Sequence, residues 1–275
     1  MNDLPNPTLP LSPIALPRGS LPGPGSSSPA AERGAVLVSW AQHEDEVRQA
    51  QRLRYRIFAD EMGARLDTAL PGHDIDLFDD FCEHLLVRDR ATGEVVGTYR
   101  VLTPAQARRV GSTYSDTEFD LTRLRGLRTR MVELGRSCVH PDHRHGGVIL
   151  ALWGALAEFM VRNQLDTMVG CASIPMLHNG VVSGHAAASI WNQLRQTTHL
   201  APIELQVRPR LALPIEQLDG TLDVEPPALI KGYLRLGAKV LGPPAWDPDF
   251  NSADLPMLMR IADLPPRYRK HFLGH

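Results

Sequence analysis

Along the chain the spacing of apolar residues shifts between strand and helix periods, and each shift marks an element. The run Ala35–Trp40 predicts a first strand. Val47, Ala50, Leu53 and Ile57 then share one stripe, which predicts a helix from about Glu44 to Met62. Gly63 to Phe81 is polar, holds Pro71-Gly72 and the acidic positions Asp74, Asp76, Asp79 and Asp80, and is too long for a plain connector. Cys82–Arg88 and Glu94–Leu102 flank a turn-forming Asp89–Gly93 and predict an antiparallel hairpin. A short helix around Leu121–Leu127 leads into a strand over Met131–Val139, and the Ala/Leu-rich run Val148–Met160 predicts a buried helix. Thr167–Ile174 predicts a buried strand, Val181–Leu194 a helix and Ile203–Val207 a strand. A helix at Pro227–Gly237 and an apolar run to Ile261 close the chain. The order is that of an α/β (α+β) domain with a twisted mixed central sheet flanked by helices, and no internal repeat interrupts it.

Charged residues stand where a sheet core should be apolar. Glu133 and Arg136 lie on the predicted Met131–Val139 strand, Arg100 ends the hairpin, and Arg54 shares a helix face with Phe58 four residues on. Positions three apart on a regular strand face opposite ways, but Gly135 offers a place for a bulge that would bring Glu133 and Arg136 to one side and free a backbone amide for an oxyanion. Directly downstream, Arg144-His145-Gly146-Gly147 opens the apolar helix, a place where backbone amides suit a phosphate. A carboxylate strand feeding a glycine turn at a helix start is the layout of an acyl-thioester site.

Composition narrows the alternatives. A net charge of -2 gives no global case for nucleic acid, although Arg123, Arg125, Arg128 and Arg130 form a local basic cluster able to dock an acidic partner. The 3 cysteines, Cys82, Cys138 and Cys171, form no Cys-x-x-Cys pair, which argues against a zinc ribbon or a disulfide framework and for a reducing compartment. Residues 1–34, rich in Pro, Gly and Ser, predict a disordered tail ahead of a single domain over 35–275, with a carboxyl-terminal extension from about residue 210. The helix at Val148 is too short for a membrane span of roughly 20 residues.

The glycine turn with its preceding strand resembles the GNAT acyltransferase superfamily, with the final small residue of the phosphate loop replaced by Ile149. Arg54-x-x-x-Phe58, Asp76-x-x-Asp79, Gly97-Thr-x-Arg100 and Glu133-x-x-Arg136 resemble the autoinducer-synthase branch, which acylates S-adenosylmethionine. The tryptophan that this branch carries after the phenylalanine is replaced here by Met62-Gly-Ala. Arg54–Glu61, Asp79–Leu85, Glu133–Val139, Ile230–Ala238 and Pro243–Phe250 together resemble the ornithine-lipid N-acyltransferases, over nearly everything after residue 35. That resemblance implies a GNAT-like acyl-CoA N-acyltransferase fold and transfer of a 3-hydroxy fatty acyl group to the α-amine of ornithine, giving lyso-ornithine lipid. It further implies acyl carrier protein as partner, its acyl-phosphopantetheine as co-substrate with no resident cofactor, no metal and no nucleic acid. A cytoplasmic enzyme that meets a membrane peripherally through its product follows.

In this reading Glu133, Arg136 and Arg100 are the candidates for chemistry, Glu133 as the base that a neutral attacking amine requires. Arg54, Phe58, Asp76 and Asp79 line or brace the site, and Arg144, His145, Gly146 and Gly147 form the phosphate loop. The bland readings stay open: Arg100, Arg136, Asp76 and Asp79 as a network that holds the loop closed, and Glu133 as the structural partner of Arg136. Whether Arg100 and Arg136 orient the amino-acid carboxylate or only brace the site is likewise open. A synthase acting on S-adenosylmethionine and a non-catalytic carrier-binding module are the rival functions. The histidines at 140, 143 and 145 lack a ligand spacing, and Cys138 lacks a base partner.

Overall fold

The structure, a computed structural model, describes residues 36–144 and 146–274. The expected tail over 1–34 and His145 of the phosphate loop therefore lie outside the described residues. The chain opens with β1 (Val36–Trp40) and α1 (Glu44–Tyr55), whose last turns continue as a π-helix over Arg56–Glu61. The hairpin β2 (Glu83–Asp89) and β3 (Val95–Leu102) follows the long loop, as the pattern predicts. Two short helices come next, α2 (Pro104–Val110) and α3 (Tyr114–Glu118), then β4 (Phe119–Asp120). Neither helix carries an apolar stripe long enough to register. Each starts on a capping box, Thr103 with Gln106 and Thr113 with Asp116.

After a 3-10 segment at Thr122–Leu127 come β5 (Met131–Val139), α4 (Gly147–Arg162) and β6 (Thr167–Pro175). A small hairpin, β7 (Leu177–His178) with β8 (Val181–Val182), occupies the start of the predicted Val181–Leu194 helix, so α5 begins only at His185 and runs to Leu194. Ile203–Leu205 is a 3-10 turn rather than the expected strand, because Pro202 precedes it and its backbone caps itself locally. The strand there is β9 (Arg208–Pro209), paired with β4. The extension supplies α6 (Ala228–Arg235), β10 (Lys239–Val240), β11 (Ala245–Asp247), β12 (Ser252–Arg260) and α7 (Pro266–Leu273).

The main sheet has 8 strands in the order β1-β2-β3-β5-β6-β12-β10, with β11 also on β12. Only β5 and β6 run parallel, joined through α4; every other neighbouring pair is antiparallel. Alternation sorts the faces. Leu85, Val87, Tyr99, Val101 and Val132 point at Val148, Leu152 and Leu156 of α4, while Cys138 packs on the other side with Leu53 of α1 and with Ile57 and Phe58 of the π-helix that continues it. Burying each such side chain is worth about 1.5–3 kcal/mol. The extension is integral to the core: Ile230, Val240, Leu255 and Met257 pack with Ile174 and Trp191. Gly232 lets α6 close on α4, since a Cβ there would stand 2.6 Å from the Trp153 ring.

Candidate active site

The site lies where β5 parts from β6. Their parallel pairing holds from Met131↔Thr167 to Glu133↔Val169 and then ends. At the parting point the Leu134 carbonyl crosses Gly170 so closely that a Cβ would lie 2.3 Å from its oxygen, so glycine is required for the approach. On the opposite edge the register with β3 slips: Thr98 faces Cys138 but Arg100 faces Gly135, leaving Arg136 and Ser137 opposite the single residue Tyr99. The bulge foreseen at Gly135 is turned at Arg136, whose φ is 49°. A non-glycine residue there costs about 1–2 kcal/mol. Strain of this kind gathers at functional sites. The slip also puts Arg136 beside Tyr114, the residue whose amide Glu133 binds, so the two charged side chains share a face as the sequence suggests.

A cavity of about 620 Å³ opens in the gap. Glu133 lines it, 5 % exposed, and its carboxylate accepts the backbone N–H of Tyr114 at 2.8 Å and of Ser115 at 2.6 Å. Its partner is thus the start of α3 and not Arg136. Burial raises its pKa, and the Ser115 hydroxyl, the two amides and the more distant Arg100 charge only partly offset that. Among the described residues no cation stands within ion-pair distance of it.

Arg136 instead joins a lattice under the long loop. Arg54, fully buried on α1, donates to Asp74 at 2.8 Å and forks onto Asp79 at 2.9 and 2.8 Å. Arg100 donates to Asp76 at 2.6 Å and Asp79 at 3.1 Å; Arg136 meets Asp76 at 3.0 Å and Asp74 at 3.3 Å. Burial alone would push Asp79 up, but Arg54 and Arg100 outweigh it and hold the carboxyl well below its usual range; Asp76 is lowered for the same reason by Arg100 and Arg136. Three fixed cations against three fixed anions clamp the loop onto α1 and β3. Asp74, which the sequence does not distinguish from its neighbouring acids as a site residue, touches both Arg54 and Arg136. The guanidinium of Arg136 also stacks 4.7 Å from Tyr114 and 4.5 Å from Phe250, and Phe58 meets Phe250 edge-on at 5.6 Å. Arg54 stays behind this layer, whereas Phe58, Arg100 and Arg136 reach the cavity.

At the other mouth α4 begins at Gly147 after Gly146, whose φ is 94°, with neither a side-chain cap nor an acid in its first turn. Its free amides fit the phosphate reading. Arg144 is already engaged, bidentate with Glu61 at 2.6 and 2.8 Å, so a phosphate there must displace that carboxylate. The apolar wall holds Ile149, Trp153 and Leu229, with Tyr99 and Tyr233 hydrogen-bonded hydroxyl to hydroxyl. Tyr233 belongs to the Ile230–Ala238 motif, which is how that motif enters the site. Cys138 is no nucleophile, since burial pushes its thiol up to about 12.

A family model described as "Acetyltransferase (GNAT) domain" matches residues 53–154. The L-ornithine N(alpha)-acyltransferase of Rhodobacter capsulatus is 36% identical over 251 residues, covering 86% of this chain and 93% of the relative. That of Brucella abortus is 34% identical, covering 87% of this chain and 89% of its own. The chain belongs to the L-ornithine N(alpha)-acyltransferase family. The GNAT-like fold is seen as well in its likeness to a CoA-dependent acyl-homoserine lactone synthase, BjaI, solved with SAM and isopentyl-CoA. That match has a TM-score of 0.51 at 16% identity, covering 87% of this chain and 88% of the other. In the L-ornithine N(alpha)-acyltransferase fold described here, the strand parting, the Arg–Asp lattice and the extension meet around one cavity. Among the described residues no helix is long and apolar enough to cross a membrane.

Proposed function

We propose that this chain moves a 3-hydroxy fatty acyl group from the phosphopantetheine of acyl carrier protein to the α-amine of ornithine, giving lyso-ornithine lipid. The observation that carries the proposal is Glu133: a buried carboxylate, with no cation at ion-pair distance among the described residues, facing a cavity between parted strands. The thioester enters beside α4, where the helix amides and Gly147 receive the phosphate. The amine nitrogen attacks the carbonyl carbon, a C–N bond forms and the C–S bond breaks. Glu133 accepts the proton of the amine, and the departing thiolate takes one up. The raised pKa of Glu133 makes it a better base. Arg136, held flat between Tyr114 and Phe250, presents its charge to the acceptor's carboxylate, while Arg100 braces it through Asp76.

Two features support a carrier protein as donor. Ile149 stands where the loop would need a small residue to grip a pyrophosphate, and the basic cluster keeps charge to offer. Arg128 and Arg130 are paired with Asp116 and Asp166, but Arg123 spends its donors on the Ile203 and Gln206 carbonyls and Arg125 is exposed. The test supplies purified protein with ornithine and one 3-hydroxyacyl group carried either by acyl carrier protein or by coenzyme A. Acyl-ornithine is read by mass spectrometry. The carrier protein should give the higher kcat/KM, and Arg123→Glu with Arg125→Glu should raise its KM and flatten its salt dependence. Equal constants for both donors refute the donor, and absence of acyl-ornithine from either refutes the acceptor.

A further inference from the structure

The cavity holds a second buried carboxylate that acyl transfer does not use. Asp254 is 3 % exposed and lines the same space from the extension strand β12. Among the described residues it makes no ion pair; the positive charge that acts on it is Arg136, which meets Asp74 and Asp76 instead. Its companions are hydroxyls: Ser252 donates to it at 2.9 Å, and Ser173 sits opposite it in register. Behind it stands Asp247, which accepts from Tyr114 at 3.0 Å. A carboxylate buried without a counter-charge is costly, so a protein that keeps one facing an open cavity has a use for it.

The register gives its place relative to Glu133. Val169 lies beside Glu133, and Ser173 lies beside Asp254. Val169, Cys171 and Ser173 alternate to one face of β6, so both carboxylates rise on that face from the strands on either side of it; about 13 Å along the strand and about 10 Å across two strand spacings set their α-carbons about 16 Å apart, before the side chains reach toward each other. The two nitrogens of an extended ornithine are about 6 Å apart. A charge-assisted hydrogen bond of about 2.8 Å at each end brings the span to about 12 Å.

We propose that Asp254 is the residue that selects a basic amino acid, receiving the side-chain ammonium of the acceptor while the α-amine stands at Glu133. This rests on the N-acyltransferase reading above. It assigns the length and charge of the acceptor to the carboxyl-terminal extension, while the strand parting carries out the acyl transfer.

The experiment measures kcat/KM for ornithine and for norvaline, the same chain without the side-chain amine, using the full-length protein and one acyl donor. Wild type should prefer ornithine by at least about 100-fold, as a site with a buried polar group rejects an analogue that leaves it unpaired. Asp254→Asn should collapse that ratio toward unity, mainly through the KM for ornithine, and Asp254→Glu should keep part of it. Circular dichroism and melting confirm that each variant folds. A folded Asp254→Asn that preserves the ratio overturns the assignment. Wild type that acylates ornithine and norvaline equally overturns it without any variant, and leaves the acyltransferase reading intact. Wild type that acylates neither amino acid removes the reading on which the assignment rests.

Discussion

If Asp254 is kept charged for a ligand, then removing its charge should stabilise the empty protein, and the gain should grow with pH. Burial first, and Asp247 second, push its carboxyl from the ordinary 3.8 up to about 6. The folded state therefore holds this proton more tightly than the unfolded chain does. Stability is fully present below pH 3.8 and is lost as pH rises through about 6. Each unit is worth about 1.36 kcal/mol, so the ionised group costs the fold about 3 kcal/mol at pH 8 and about half of that at pH 5. Asp254→Asn escapes this cost, and the Ser252 and Ser173 hydroxyls can turn to accept from its amide. Whatever the exchange of hydrogen bonds costs is the same at both pH values. The difference that remains, about 1.5 kcal/mol, corresponds to about 3–6 °C for a domain of this size. The other titrating groups around it are Glu118, raised to about 7 by burial and by Asp247 and Asp254, and Glu133, raised by burial. Loss of the Asp254 charge relieves Glu118 and adds in the same direction. The assay is thermal melting of both proteins at pH 5 and pH 8 in equal salt. The advantage of the variant should be larger at pH 8 by several degrees. An advantage equal at both pH values, or a variant that loses ground at pH 8, would refute the claim that Asp254 is uncompensated.

Other expectations follow from the same geometry. Arg54→Met strands Asp74 and Asp79 in the interior and should cost about 3–5 kcal/mol, the usual result of breaking a buried pair; denaturant unfolding that shows a loss under about 1 kcal/mol would mean the loop is held otherwise. Glu133→Gln should lower kcat by about 10²-fold, and because its amide points an N–H at the Tyr114 or Ser115 amide it should also cost about 1–3 kcal/mol. A variant with wild-type melting and wild-type rate would strip Glu133 of both roles. Glu61→Gln frees Arg144 from an exposed pair worth under about 1 kcal/mol, so the KM for the acyl donor should fall a few-fold at low salt. An unchanged KM would separate Arg144 from the donor's phosphate.

What the sequence alone determined were the elements with a long or regular apolar pattern and the positions that violate it. Glu133 and Arg136 inside an apolar strand, and Arg54 on a helix stripe, stand out because burying a charge is expensive and a sequence rarely does it without purpose. Asp254 carries the same signal, one acid in the apolar run from Ala253 to Met259, and could have been singled out on those grounds. Short elements escaped because α2 and α3 hold too few turns for a period, although their capping boxes were legible. Pairing, by contrast, is settled by how the folded segments pack. The loop over residues 63–81 chooses Asp74 and Asp79 for Arg54 and Asp76 for Arg100 by the path it takes across α1 and β3. Glu133 goes to the α3 amides because the chain between β3 and β5 folds back over it. No local spacing encodes these distances: a charge's need for a partner is a property of the residue, whereas the identity of the partner depends on which distant segment packing brings within about 3 Å.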